Sequence, residues 1–499
     1  MAGESTLVAA QTKSAYRSLG GGNLIGQAFD ALLDVTKSNS NILAQLQGGM
    51  GSGKPFVIKD DLTKGAKDTV HFNIGTTLGQ AGRRGTQVAV NYEEPLYHSS
   101  WQVQIDSLRV VVGWNEITRV VATTGQSWEE VYAQLVGERI GQIEQEDMLM
   151  RMRQRSGTLN TLRPGNRTSL DLLHYDDTLD TLTLNRAITT LGTLGAKPAT
   201  IGKMRGGMPL NRFVCLGSNT ALEPVWNDPT FTQALLHAAV DGPTNPYWTG
   251  DLPDWRGTVI KRWDIVNHDN PGAIGSAIQP QAVLGDAVAA GTTAITIYGG
   301  GRTQAALGNA ASLYKPFEYF YGCDKLFGES ITFLNTGTSS ATTDGGTYYF
   351  AIIDPTDGMW CLYSYTGNAA FGSNGNSITI TQRLAAATSG AAATTVGHWT
   401  WDASVNKEVF PTGSLIVQVN ANVVPVGDVF VFGADAGAKA YGQVKNKRIK
   451  QLTDYEALVG YGVHTIYGAD MRQDTLGNYR GFMRIQCAYE LPGFNLPQL

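Results

Sequence analysis

Charge is what this chain has least of. Lys, Arg, Asp and Glu make up 16% of its 499 residues, and the formal net charge is only -5. That is well below the usual quarter of charged residues, and it gives no sign of a broad basic face for coating nucleic acid. Cysteine is scarce as well. Cys215, Cys323, Cys361 and Cys487 lie far apart, form no Cys-x-x-Cys pair and sit near no histidine cluster. Reduced thiols are therefore expected, rather than disulfides or a metal site. His71, His98, His174, His237, His268, His398 and His464 include no i,i+4 pair and no HExxH pattern, so no metal ligands are nominated. No apolar run approaches the roughly 18 residues of a membrane span. Met1-Ala2-Gly3-Glu4-Ser5-Thr6-Leu7 has no basic or apolar signal region, and no secretion signal is expected. Without one, Asn166-Arg167-Thr168 reads as a chance glycosylation match.

What is present is ample apolar residue, 42% of the chain, and much glycine, 59 residues. The length suggests about two to four domains. Residues 1–50 are weakly patterned, with short helices expected at 24–33 and 42–46. Residues 51–90 hold six basic and three acidic residues and many glycines. Phe56-Val57-Ile58 and Thr69 to Ile74 alternate as strands, and Gly75 to Gly85 reads as a loose basic tip. Thr86 to Asn91 and Trp101 to Val112 return as strands. This is a long two-stranded ribbon, marginal alone and expected to lie on another surface.

The best-defined element follows. Ser127-Trp128-Glu129-Glu130 is a capping box. Trp128, Tyr132, Leu135, Val136, Ile140 and Ile143 recur at helical spacing, with Met148 and Met152 near the continuing stripe. Glu129, Glu130, Glu138, Glu144 and Glu146 precede Arg151, Arg153 and Arg155, an order that complements the helix dipole. The spacing predicts a helix over 128–155, roughly 40 Å long at 1.5 Å per residue.

From 170 to 270 the pattern is α/β. Leu184, Ile188 and Leu191 mark a helix ending at Gly192 or Gly195, and Arg212 to Gly217 a buried strand. Ser218-Asn219 opens a helical stretch interrupted at Pro224 and Pro229. Thr258 to Ile260 and Trp263 to Val266 read as strands. From 271 to 430 strands become short and frequent: 293–298, 347–353, 359–365, 377–381, 415–419 and 429–432. Asp354-Pro355-Thr356-Asp357-Gly358 is a hairpin turn between two of them. Residues 435–441 read as helical. Residues 463–467 and 482–489 read as strands joined by a turn at 474–478. The β-rich stretch thus interrupts α/β segments, and the chain leaves a domain and re-enters it.

Motifs for chemistry fail on inspection. Gly48-Gly49-Met50-Gly51-Ser52-Gly53-Lys54-Pro55 nearly matches a phosphate loop, but Pro55 replaces the magnesium-binding hydroxyl and disfavours a helix start at Lys54. Asp176-Asp177 and Glu93-Glu94 read as solvated loop carboxylates. The Arg83-Arg84 tip lacks the aromatics of a single-strand binder. Lys54, Lys59, Lys64 and Lys67 read as solvated. No GxSxG occurs. The helical stripe does not continue as heptads, so core packing is preferred to a coiled coil. No catalytic, cofactor-binding or metal residue is nominated, no cofactor is expected, and the chain reads as a non-enzyme.

The order of elements, together with Ile58-Lys59-Asp60-Asp61-Leu62-Thr63-Lys64, Gly65-Ala66-Lys67-Asp68-Thr69-Val70-His71-Phe72, and Gln102 to Val112 leading into the Ser127 helix, resembles the major capsid proteins of tailed phages with the Hong Kong 97-type fold. The branch is that typified by the coliphage N-four capsid protein, with Lys67 standing where that block carries glycine. The resemblance implies an α+β fold with an inserted β-rich domain. Its parts would be an N-terminal arm at 1–50, an extended β-ribbon and the start of the peripheral domain at 51–126, and the spine helix at 127–174. An axial domain would follow at 175–270, the β-rich insertion at 271–430, an axial return at 431–454 and a peripheral return at 455–499. It implies pentameric and hexameric capsomers of one chain, a shell around double-stranded DNA contacted non-specifically on its inner face, and scaffolding, cement and portal partners. It implies a virion location after assembly in the host bacterial cytoplasm, and no membrane partner. The rival readings are a nanocompartment shell protein and an extracellular β-rich binding protein.

Overall fold

The computed structural model describes residues 42–59, 69–75, 98–115, 128–203, 209–237, 255–263, 278–296, 320–321, 347–366, 377–384, 395–396, 399–442, 447–453, 458–474 and 477–491. The fold is α+β, with few helices and many strands. It divides into two units, one of residues 1–148 with 437–478, the other of 149–436 with 479–499. The chain thus leaves the first unit after residue 148 and returns to it at 437.

In the first unit the long strand Leu458–Met471 organises a six-stranded sheet. Asp106–Asn115 and Lys447–Thr453 pair with it antiparallel, as does Gly437–Tyr441. Gly437–Tyr441 also pairs parallel with Phe56–Lys59, which in turn pairs with Gln47–Gly48. Residues 435–441 were expected to be helical, because Gly437-Ala438-Lys439-Ala440-Tyr441 is short, alanine-rich and shows no strong alternation. Its two hydrogen-bonded neighbours and full burial fix it as an interior strand, and tertiary pairing overrides local propensity. Residues 42–46 form a short 3-10 helix, and the expected helix at 24–33 lies outside the described residues.

Alternation assigns the two faces of this sheet. Lys439 and Tyr441 face the long helix, whereas Ala438 and Ala440 pack with Val57 against the hairpin residues Val70, Phe72, Trp101 and Val103. The long helix is Trp128–Arg155, 28 residues, about 42 Å at 1.5 Å per residue. Ala133, Val136 and Ile140 pack on Val110 and Val463. Leu135, counted in the sequence stripe, is instead 50% exposed. From Ile143 to Met150 every residue is buried, including Asp147 and also Glu144 and Glu146, which the sequence pattern marks as a complement to the helix dipole. Ser127, the expected cap, lies outside the described residues.

The second unit has its own six-stranded sheet, in the order Thr161–Leu162, Phe482–Ala488, Val426–Phe432, Pro209–Gly217, Ala199–Lys203, with Thr258–Arg262 parallel to Pro209–Gly217. Helices Thr181–Thr193, Asn219–Asn227 and Pro229–His237 accompany it. Asp180 caps the first through Thr183 N, and Ser218 the second through Ala221 N. Pro224 does not interrupt its helix, contrary to expectation, while Pro229 begins the next. Leu184, Leu191, Phe231, Cys215 and Cys487 share this core.

Two expected groupings differ. Residues 429–432, read with the β-rich stretch, belong to Val426–Phe432 at the centre of this sheet, with seven buried residues in a row. The expected strands at 463–467 and 482–489 do not form one hairpin. The turn around Asp474 and Asn478 separates strands of two different sheets, and residues 482–488 pair with Val426–Phe432. Pattern alone does not name a strand's partner when both faces are buried.

The second unit also holds an antiparallel five-stranded sheet, ordered Gln281–Val283, Leu415–Val419, Thr347–Ile353, Trp360–Thr366, Thr381–Gln382. Ala294–Thr296 pairs with Ser377–Thr379, and Gly285 N donates to Thr296 O, so the sheet curls back toward its first strand as a small barrel. Phe350, Trp360, Tyr363, Phe410 and Ile416 fill it. The expected turn at 354–358 connects the central hairpin.

Candidate assembly elements

The ribbon is a hairpin of Thr69–Gly75 with His98–Gln104, in register from Thr69 opposite Gln104 to Gly75 opposite His98. Alternation puts Val70, Phe72, Trp101 and Val103 on one buried face, and His71, Asn73, Ser100, Gln102 and Gln104 on the exposed face. Phe72 and Trp101 stand directly opposite and stack with centroids 4.9 Å apart. Lys59 Nζ donates to His71 O at 3.0 Å and lies over the Phe72 ring. The ribbon base is therefore anchored on the chain's own sheet. The expected continuous strand over 101–112 is two strands, broken at Ile105. There the backbone passes Gly468 so closely that a Cβ would lie 1.9 Å from Gln104 O. The expected tip, the strand at 86–91, Arg83, Arg84, Glu93, Glu94, Lys64 and Lys67 lie outside the described residues.

Among the described residues, buried charge gathers into clusters in each unit. In the first unit Lys439 Nζ lies 3.6 Å from Glu144 Oε2, which accepts from the Tyr441 hydroxyl at 2.9 Å. In the second, Asp428 is fully buried between two guanidiniums. Arg484 Nε and Nη2 donate to it at 2.7 and 2.8 Å, and Arg153 Nε at 3.0 Å. Arg484 Nη1 reaches Ser156 Oγ at 3.2 Å. Asn160 Nδ2 donates to the Tyr479 and Phe482 carbonyls, fixing the turn after the helix. Sequence reading assigned Arg153 to the helix dipole and did not single out Asp428 or Arg484. A lone charged residue inside an apolar strand, as Asp428 is in Val426–Phe432, is the signal that points to such a pair.

The Gly-rich segment around Lys54 is followed by strand Phe56–Lys59, not a helix, and Gly51 and Gly53 adopt φ of 79° and 70°. Phosphate-loop geometry is absent from it. Asp177, expected to be solvated, is buried and accepts from Arg167 Nε at 2.8 Å and His174 N at 2.9 Å, while Asp176 is exposed. His71 is exposed, and His464 lies partly buried in the long strand. Among the described residues no group of three or more His, Cys, Asp or Glu is arranged to hold a metal ion. Cys215, Cys361 and Cys487 are free and buried, and Cys323 lies outside the described residues. Burial pushes the Cys215 and Cys361 thiols up to about 12, away from reactivity. Among the described residues no helix is long and apolar enough to cross a membrane.

No family model matches the chain, and no curated protein matches it. Solved structures similar to it are phage capsids. The capsid of Ralstonia phage GP4 is 13% identical, with 90% of each chain covered and a TM-score of 0.49. The cyanophage Pam1 capsid is 11% identical, covering 90% of this chain and 92% of that one, with a TM-score of 0.48. The head of Helicobacter pylori bacteriophage KHP40 is 8% identical, covering 90% and 91%, with a TM-score of 0.47.

Proposed function

We propose that this chain is a major capsid protein of a tailed bacteriophage, with the Hong Kong 97-type fold and an inserted β-barrel. The observation that carries the reading is the ribbon. Its base is held by the chain's own core, yet residues 76–97 are spent between the paired ends Gly75 and His98. In this reading the excursion covers a neighbouring copy, since a two-stranded ribbon is marginal alone and gains by burying apolar surface. The 28-residue helix follows after strand Asp106–Asn115, as a spine would.

In this reading residues 1–50 are the arm, and the first unit's sheet with residues 128–148 of the helix is the peripheral domain, which takes in Gly437–Tyr441 and Lys447–Thr453 where the sequence reading had an axial return at 431–454. The second unit's sheet is the axial domain, closed by Phe482–Ala488, and the barrel is the insertion. Copies close rings of five and six by heterologous contacts. The shell encloses DNA in a virion assembled in the bacterial cytoplasm, with scaffolding, cement and portal proteins as partners. The blocks around Asp60-Asp61-Leu62 favour the N-four-like branch. The subunit performs no catalysis in this role.

The test is expression of the full chain in bacteria, followed by sedimentation and negative-stain microscopy. Closed icosahedral shells, or capsomer rings that close when scaffold is supplied, are expected. A folded subunit that remains monomeric with and without the phage's other head proteins would overturn the reading.

A further inference from the structure

Phe320 and Tyr321 are adjacent, both buried, and packed into different cores. Phe320 is fully buried in the barrel interior, edge-on to Phe350 at 6.5 Å. Tyr321 packs instead with Leu173 and Val426, outside the barrel, beside the central strand of the α/β sheet. Its ring faces the two guanidiniums held by Asp428, with Arg153 Cζ at 4.8 Å and Arg484 Cζ at 5.2 Å from the centroid. The backbone between the two side chains is bonded to the barrel. Tyr321 N donates to Gln418 Oε1 at 3.1 Å, and Tyr321 O accepts from the Tyr365 hydroxyl at 2.6 Å. Gln418 also accepts from Tyr365 at 3.0 Å and donates to Tyr349 O at 2.7 Å, so the bonding side chains are themselves fixed by barrel strands.

We propose that the Phe320-Tyr321 pair is a staple that fixes the inserted barrel in one orientation on the α/β sheet, with the Arg153–Asp428–Arg484 node as its socket. The chemistry suits the role. Two linkers alone leave an inserted module free to rock about them. A phenol ring inserted over desolvated guanidiniums gains a cation–π attraction that an aliphatic side chain cannot supply. Asp428 holds both guanidiniums in place, so the ring meets a preformed surface. The linkers meet at the same spot. Gln418 N donates to Pro280 O, and Asp428 N to Ile278 O, so the backbone of the socket residue also holds the incoming linker. Asn420 Nδ2, on the outgoing linker, donates to Leu173 O at 2.7 Å, next to the ring.

The test is hydrogen–deuterium exchange by mass spectrometry on the full chain, comparing Tyr321→Phe, Tyr321→Leu and Tyr321→Ala. The phenol oxygen has no partner among the described residues, so Tyr321→Phe is expected to match the native protein. Tyr321→Leu, which keeps apolar bulk but no π face, is expected to speed exchange in the linkers 278–281 and 420–426 on the order of tenfold, as for release of a local cooperative unit. Barrel strands Thr347–Ile353 and Trp360–Thr366 should stay protected in that variant. Native-like linker exchange in Tyr321→Leu would overturn the proposal, as would equal acceleration by Tyr321→Phe and Tyr321→Leu. If Tyr321→Ala fails to fold, the Leu and Phe variants still decide.

Discussion

Glycine at two positions gives opposite predictions. A Cβ on Gly468 would sit 1.9 Å from the Gln104 carbonyl oxygen, and both are backbone-bound, so neither can yield cheaply. Gly468→Ala is expected to destabilise the subunit by about 3 kcal/mol, the upper end for overpacking. Gly192, in the exposed last turn of its helix, has nothing within 4 Å of a Cβ. Gly192→Ala should stabilise by about 0.5 kcal/mol through helix propensity. Urea unfolding of the two variants side by side checks the pair. At Asp428 the argument concerns charge. Asp428→Asn leaves two buried guanidiniums without their carboxylate and should cost about 3–5 kcal/mol. Removing all three charges together, as Arg153→Met, Asp428→Leu and Arg484→Met, should cost less than the single change. A single variant milder than the triple one would show that the cluster is not a desolvated charge pair.

Among elements, the barrel's central hairpin carries a pH dependence with a definite sign. Lys407 Nζ is paired with Asp354 at the turn and lies 2.8 Å from Asp357 Oδ2. Burial disfavours ionised Asp354, but hydrogen bonds from Lys407 and Thr356 outweigh it and hold its carboxyl below the usual range. Burial likewise works against charged Lys407, and its two aspartate bonds outweigh that and raise it. The carboxylate's contribution is therefore present above the ordinary aspartate value near 3.9 and lost as pH falls through the depressed folded value. The lysine's contribution is present below about 10.4 and lost as pH rises through its raised value. Lys407→Met should lower stability by about 1 kcal/mol at neutral pH, and the difference should vanish toward pH 2. A gap that persists in acid would assign the loss to the packing of the lysine stem. The same hairpin was legible in the sequence, because its turn residues are local and its strands alternate. The long helix was legible for the same reason, down to its two ends. What was not legible is non-local. Gly437–Tyr441 is a strand because of the strands on each side, and Leu135 faces outward because the sheet lies on the other side of the helix. Val426–Phe432 and Phe482–Ala488 are apolar in unbroken runs, so periodicity could not assign them to a sheet. The Asp428 node joins residues 153, 428 and 484, and no sequence spacing relates them.

At the scale of the molecule, the ribbon allows an experiment that separates folding from assembly. The described pairing of its base is made by residues on either side of 76–97. Gly75 and His98 are paired, and the stacked Phe72 and Trp101 rest on Val57, Ala438 and Ala440 of the sheet. Antiparallel ends in register are closed well by a two-residue Asn-Gly turn. Replacing residues 76–97 by Asn-Gly should therefore leave a subunit with a native melting temperature and a native circular dichroism spectrum. If those residues cover a neighbouring copy, the same subunit should fail to build closed shells, because the contact it has lost belongs to the ring and not to the fold. Microscopy of the shortened subunit beside the full chain separates the two roles. Loss of melting stability would mean that the excursion belongs to the core. Normal shells from a stable shortened subunit would remove the ribbon from assembly, and with it the main support for a capsid role.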